Sequence, residues 1–259
     1  MKHVVSLGFG VLLWTSQAMA AIHTEAVSYQ DGDAQLEGYL AYDDAVQGPR
    51  PLVLVVHEWK GLGDYAKRRA EQLAGLGYAA FAVDMYGKGV FAKDHEEAGK
   101  LSGMYRNVRA LTRRRILAGL NAVRGLDVVD ASRVAAVGYC FGGMAALELA
   151  RSGADVRGVV TFHGALDTPS PAPAGTIKAK ILVLHGADDR FVTQDIVAAF
   201  EKEMREAGAE SRVIQYPGAV HSFTVAEAGN DPSTGVAYNA EADHQSWEEM
   251  RTFLSGIFQ

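Results

Sequence analysis

Two hydrophobic rhythms alternate along the chain. Residues 52–57 (LVLVVH) form a continuous apolar, largely β-branched run, the pattern of a strand buried on both faces. Shorter runs at residues 79–83, 134–137, 156–161 and 181–184 read the same way. Residues 36–42 alternate after a turn at Asp31-Gly32-Asp33, and residues 212–216 complete the strand set. Between the strands lie stretches of helical period. Residues 65–76 end at Gly77, and residues 196–207 and 241–258 carry the same spacing. Leu101, Val108, Leu111, Ile116, Leu117, Leu120 and Val123, with charges between them, predict one long helix over 93–124, whole or broken. A Gly-rich turn after residue 137 opens a further helix to about Ala150. Strands that alternate with helices predict βαβ units, a mostly parallel sheet and helices on both of its faces. No repeat and no linker longer than residues 170–175 divides the chain, so a single α/β domain is expected.

The first 20 residues stand apart from this rhythm. A basic start (Lys2, His3) leads into an apolar run over 4–14, and Ala18-Met19-Ala20 puts small residues at −3 and −1 of a cleavage site. That order describes a secretory signal peptide over residues 1–20, with the mature domain at 21–259 in the periplasm or outside the cell. The run is too short to cross a bilayer, which takes about 20 residues. No stable membrane anchor is expected, since no cysteine follows the cleavage site to carry a lipid.

Composition narrows the function. The 259 residues are 48% hydrophobic and 22% charged, which excludes a disordered chain. A net charge of −6 argues against a nucleic-acid partner. The single cysteine, Cys140, excludes an internal disulfide and a thiolate zinc cluster. In an oxidising compartment a lone thiol is either buried or put to use.

Its setting favours use. Gly138-Tyr139-Cys140-Phe141-Gly142-Gly143 follows a strand and opens a helix, the context of a nucleophile elbow with cysteine in place of the commoner serine. The helix N-terminus beside the sulfur favours thiolate. The competing reading is an inert cysteine packed at a strand end. An elbow nucleophile needs an acid and then a histidine further along. Asp188 and Asp189 follow the strand at 181–184, and the loop shape favours Asp189, leaving Asp188 as a turn or capping group. His221 follows the strand at 212–216. His57, His163 and His185 end strands on the same rim and read as packed or hydrogen-bonded side chains, with no ligand spacing for a metal. His95 and His244 read as solvated.

Together these segments resemble the dienelactone hydrolase family of the α/β-hydrolase fold. The resemblance rests on His57-Glu58-Trp59-Lys60-Gly61, Asp84-Met85-Tyr86-Gly87, the cysteine elbow, Gly186-Ala187-Asp188-Asp189-Arg190-Phe191-Val192 and His221-Ser222-Phe223. It implies a Cys140–His221–Asp189 triad, and a glutamate, Glu58, that interacts with the resting cysteine and helps to activate it. The elbow rule makes the backbone N–H groups of Phe141 and Trp59 the expected oxyanion donors. Tyr86, Tyr139, Ser222 and Phe223 are the candidates for the substrate pocket. The expected substrate is a small ester or lactone, cleaved through a thioester with no cofactor and no metal.

The chain departs from the family in one respect. Dienelactone hydrolases proper hold a substrate carboxylate with arginines, one of them a few residues after the histidine, and residues 222–226 here contain none. Arg106, Arg109 and Arg113 are possible replacements, read first as a solvated basic face. The other activities compatible with these residues are thioester, peptide or amide hydrolysis, and a non-enzymatic thiol that senses oxidants or binds an apolar ligand.

Overall fold

The computed structural model describes residues 21–259. The proposed leader at residues 1–20 lies outside the described residues. Eight strands, β1 (Ile22–Asp31), β2 (Ala34–Asp43), β3 (Arg50–Val56), β4 (Ala79–Val83), β5 (Val129–Tyr139), β6 (Gly158–Phe162), β7 (Lys180–Gly186) and β8 (Ser211–Tyr216), form one sheet in the order β1-β2-β4-β3-β5-β6-β7-β8. β1 pairs antiparallel with β2, and β2 with β4; every pairing from β4 to β8 is parallel. This is the single α/β domain expected from the sequence.

Side-chain alternation in the central strands builds two cores. Leu52, Leu54 and Val56 of β3 face one side, where they join Ile116 and Leu120 of α3 (Arg109–Val123), Met144 and Leu147 of α4 (Phe141–Arg151) and Phe200 and Met204 of α5 (Gln194–Ala207). Val53 and Val55 face the other, against Ala66, Ala70 and Leu73 of α1 (Asp64–Ala74) and Met250 and Leu254 of α6 (Ala240–Ile257). Because both faces are covered, β3 must be apolar at every core position, which is why it reads as a continuous run.

One strand differs from the sequence reading, and one alternative left open there is decided. β1 is a full edge strand that the pattern did not reveal. It pairs on one side only, and its burial alternates only over residues 26–31, where Val27 and Tyr29 alone supply apolar inward positions, too few to mark a period of two. The helical stretch over 93–124 is two helices, α2 (His95–Asn107) and α3, which part at Val108. There the backbone leaves the helical region (φ −122°, ψ 78°), and the Thr112 hydroxyl donates to the Tyr105 carbonyl 2.7 Å away.

The parallel strands all end on one rim. The loops after β3, β5, β7 and β8 carry residues 57–63, 140, 187–193 and 217–239, so residues far apart in sequence meet there. This is the general location of ligand sites in open α/β sheets.

Candidate active site

Cys140 sits between β5 and α4 at φ 53°, ψ −114°, a conformation side-chain-bearing residues rarely adopt. Such strain costs on the order of 1–3 kcal/mol and persists only where packing enforces it. Here the enforcement is visible. Cys140 N–H donates to Phe162 O at 3.0 Å, and Gly143 N–H donates back to Cys140 O at 3.0 Å. The turn closes so tightly that a Cβ on Gly138 would collide with the Gly142 carbonyl, and one on Gly142 with the carbonyl oxygens of Val56 and His57. The two glycines let α4 start directly against β3 and β5.

The His221 Nε2 atom lies 3.1 Å from Cys140 Sγ, and its Nδ1 atom lies 2.8 Å from Asp189 Oδ2. Asp189 is buried, and its other oxygen accepts from Phe191 N–H at 2.8 Å and Val192 N–H at 3.2 Å. Burial works against its charge, but His221 and these two N–H groups outweigh burial and hold its pKa below the usual carboxylate range. Burial also opposes a charged His221, yet the Cys140 sulfur and the Asp189 carboxylate together push its pKa up to about 10. The surroundings therefore favour the charged form of the His221 imidazole. Asp188, the other acid of this loop, is exposed; Asp189 is the one that meets the histidine.

Glu58 projects from the loop after β3 and is partly buried. Its Oε1 atom is buried without a hydrogen-bond partner. Burial pushes its pKa up to about 7, even though His221 and the Ser222 side chain beside it pull the other way. Trp59 follows Glu58, and among the described residues neither the Trp59 N–H nor the Phe141 N–H has a hydrogen-bond partner.

The structure sorts the pocket candidates. Tyr86 stays at the site: its ring packs on His57, Tyr105 and Phe141, and its hydroxyl donates to Trp59 O at 2.9 Å. Ser222, next to His221, adopts φ 58°. Tyr139 and Phe223 are corrected. Both are fully buried, Tyr139 stacked on Phe162 and Phe223 packed on His163 and Tyr216, so they support the rim from beneath and do not line an open pocket. The expectation of a solvated basic face is also corrected. Arg109 is buried beside Glu148, and Arg113 donates to Glu148 Oε2 at 2.7 Å. Glu148 is itself fully buried and also receives Arg151 at 3.1 Å. Arg106 alone of the three is exposed.

One residue escaped the sequence reading. Phe191, 54% exposed, lays its ring edge-on to His221 at 5.4 Å between centroids. Its signal in the sequence is a large apolar side chain two residues after the triad-type acid, in a loop. The rim histidines behave as packed groups: His57 is held by backbone atoms, His163 Nε2 meets the Thr224 hydroxyl at 2.8 Å, and His185 is buried. His95 and His244 are exposed, the former against Trp59. Among the described residues no three or more His, Cys, Asp or Glu side chains are placed to hold a metal ion together, and no helix is long and apolar enough to cross a membrane.

A parallel sheet with an antiparallel edge, a strained turn at a cysteine after β5, and an acid and a histidine after β7 and β8 define the α/β-hydrolase class. The dienelactone hydrolase family model matches residues 36–258, and the chain belongs to that family of ester and lactone hydrolases. It is 41% identical, with a TM-score of 0.88, to the crystal structure of a dienelactone hydrolase-like promiscuous phosphotriesterase from metagenomic libraries, covering 92% of this chain and 100% of that one. A Yersinia pestis protein, named provisionally as a carboxymethylenebutenolidase, is 26% identical over 88% of this chain and 86% of its own length. An uncharacterised protein of Caenorhabditis elegans is 36% identical over 56% of this chain and 92% of its own length.

Proposed function

We propose that this protein is an exported hydrolase that cleaves a carboxylic ester or lactone through Cys140, His221 and Asp189. The observation that carries the proposal is the continuous line from Asp189 Oδ2 to His221 Nδ1 at 2.8 Å and from His221 Nε2 to Cys140 Sγ at 3.1 Å. Nucleophile and base are within reach, and the base is oriented by a third group.

His221 takes the Cys140 proton, and the thiolate attacks the substrate carbonyl. The resulting oxyanion accepts from the Phe141 and Trp59 N–H groups. As the tetrahedral intermediate collapses, His221 returns its proton to the leaving alkoxide, or to the enolate of a conjugated lactone. Water, deprotonated by His221, then cleaves the thioester and restores the thiol. Asp189 fixes the tautomer of His221 and stabilises its charged form. Glu58, poised near neutrality beside the histidine, tunes the resting state of the sulfur.

The leader at residues 1–20 supports the assignment to the periplasm or the exterior. β1 begins at Ile22, so cleavage after Ala20 leaves every described strand intact. Mass measurement of the protein recovered from outside the cytoplasm should give Ala21 as its first residue; a retained Met1 counts against export.

The reading is tested with a panel of nitrophenyl esters and lactones. A phosphotriester belongs in the panel because the 41% identical relative is named for that activity. Turnover should vanish in Cys140→Ala, and a single acyl adduct should appear on Cys140 by mass spectrometry. No turnover of any ester or lactone by the wild type would sink the proposal.

A further inference from the structure

The loop that follows β3 contains a buried histidine with no place in the reaction above. His57 is 1% exposed, and its ring stacks on Phe141 and meets Tyr86 edge-on. The Met85 N–H donates to its Nε2 atom at 3.3 Å. A backbone N–H can only donate, so Nε2 carries no proton. Burial pushes the ring's pKa down to about 4, so the ring is neutral and its one proton is on Nδ1. The Nδ1–H therefore donates to the Glu58 carbonyl oxygen, 2.6 Å away, the shorter of two bonds to that oxygen, since Gly61 N–H also donates to it at 3.3 Å.

That carbonyl belongs to the same peptide unit as the Trp59 N–H. A peptide is planar and trans, and none in the described chain is cis, so its C=O and N–H point in opposite directions. Drawing the Glu58 carbonyl towards the His57 ring turns the Trp59 N–H away from it, without a partner among the described residues. The neighbouring peptides are held in the same manner. Trp59 O accepts from the Tyr86 hydroxyl at 2.9 Å, and Lys60 O accepts from Ala92 N–H at 2.8 Å. The start of α4 abuts this loop, since Gly142 lies hard against the carbonyl oxygens of Val56 and His57. The unpartnered N–H groups of Trp59 and Phe141 thus belong to two backbone segments in direct contact.

We infer that His57 is a positioning residue for the oxyanion hole: its Nδ1–H fixes the Glu58–Trp59 peptide so that the Trp59 N–H stays aimed at the substrate oxygen. This rests on the proposed hydrolase reading and adds to it the group that pre-orients one of the two donors. Donors held in place before the charge develops act without reorganising during reaction, which is why their orientation controls rate more than substrate affinity.

The test compares three variants with the wild-type protein. His57→Phe keeps the aromatic packing on Phe141 and Tyr86 and loses the donor. His57→Asn places an amide N–H near the Nδ1 position, and His57→Gln places it further out. We expect His57→Phe to lose about 10²–10³-fold in kcat with KM within about twofold. Alkylation of Cys140 by iodoacetamide, which forms no oxyanion, should change by less than about twofold. Affinity for a trifluoromethyl ketone, whose hemithioketal oxyanion needs the same donors, should fall in parallel with kcat. His57→Asn should exceed His57→Gln in kcat by at least about tenfold. A folded His57→Phe protein with wild-type kcat overturns the inference, as does an alkylation rate that falls as far as turnover. If His57→Phe does not fold, equal kcat in the Asn and Gln variants overturns it. Absence of turnover in the wild type defeats the hydrolase reading itself, an outcome distinct from wild-type activity that is indifferent to His57.

Discussion

His221 Nε2 and Cys140 Sγ lie 3.1 Å apart although 81 residues separate them in the chain. The contact exists because β5 and β8 end on the same rim, and because the strained turn at Cys140 lifts the sulfur out of the sheet. Asp189, 32 residues before the histidine, completes the line from the loop after β7.

If that line is the catalytic apparatus, its members fail as a unit. Cys140→Ala and His221→Ala should each lower kcat by about 10³-fold or more, and the double variant should be little worse than either single one. Asp189→Asn keeps the geometry and loses the charge, so it should cost at least about 10²-fold in kcat. The pKa of His221 is raised, so its charged form persists until pH climbs through about 10. kcat/KM should fall above that pH, as the imidazolium loses the proton it hands to the leaving group.

Glu58 makes a prediction with a defined sign. Its folded-state value of about 7 lies above the model-peptide value of 4.5, so between those pH values the native protein holds a proton the unfolded chain has lost. Its contribution to stability therefore declines as pH rises through that window. Glu58→Gln should be roughly 1–3 kcal/mol more stable than wild type at pH 8, and no different at pH 4, by thermal or urea unfolding. If Glu58 also faces the sulfur, as the family resemblance implies, its carboxylate opposes the thiolate above pH 7. Alkylation of Cys140 should then be faster in Glu58→Gln, with the two proteins converging below pH 6.

Gly142→Ala probes the elbow. The added methyl would collide with backbone at Val56 and His57, atoms that cannot swing aside as the end of a side chain can. The expected loss is about 3 kcal/mol or more, read as a lower urea midpoint, accompanied by loss of turnover. Gly99→Ala is the control. Its Cβ meets nothing within 4 Å, so stability should hold or rise slightly in mid-helix.

Phe191→Ala separates binding from folding. The ring is half exposed and caps His221, so its removal should shift stability by less than about 0.5 kcal/mol. If the ring bounds the site where substrate enters, KM for an aromatic ester should rise several-fold while iodoacetamide still alkylates Cys140 at the wild-type rate. An unchanged KM would place the substrate on another side of the histidine.

Much of the sheet was legible because β3, β4, β6 and β7 are buried on both faces and are apolar at most of their positions. β1 was not, because an edge strand exposed along much of its length needs no such run. The break at Val108 also left little trace. The apolar positions of α2 and α3 continue one another in sequence, although the backbone turns between them. Arg109 and Arg113 read as a polar face because their partner, Glu148, comes from another helix. Tyr139 and Phe223 were misplaced for the converse reason: adjacency to Cys140 or His221 in sequence does not say on which side of the turn a ring lies.

Read along the chain alone, the residues already carry the alternation that makes an α/β sheet, the glycines a sharp turn at Cys140 requires, and the chain order of thiol, acid and histidine. These are local properties, set by side-chain period and by the space a Cβ occupies. Packing had to form before it was settled which aspartate meets His221, that one oxygen of Glu58 is buried without a partner, and that His57 grips the peptide bearing the Trp59 N–H. Each of those depends on desolvation or on the direction of a single bond. Neither exists until strands distant in sequence have packed side by side.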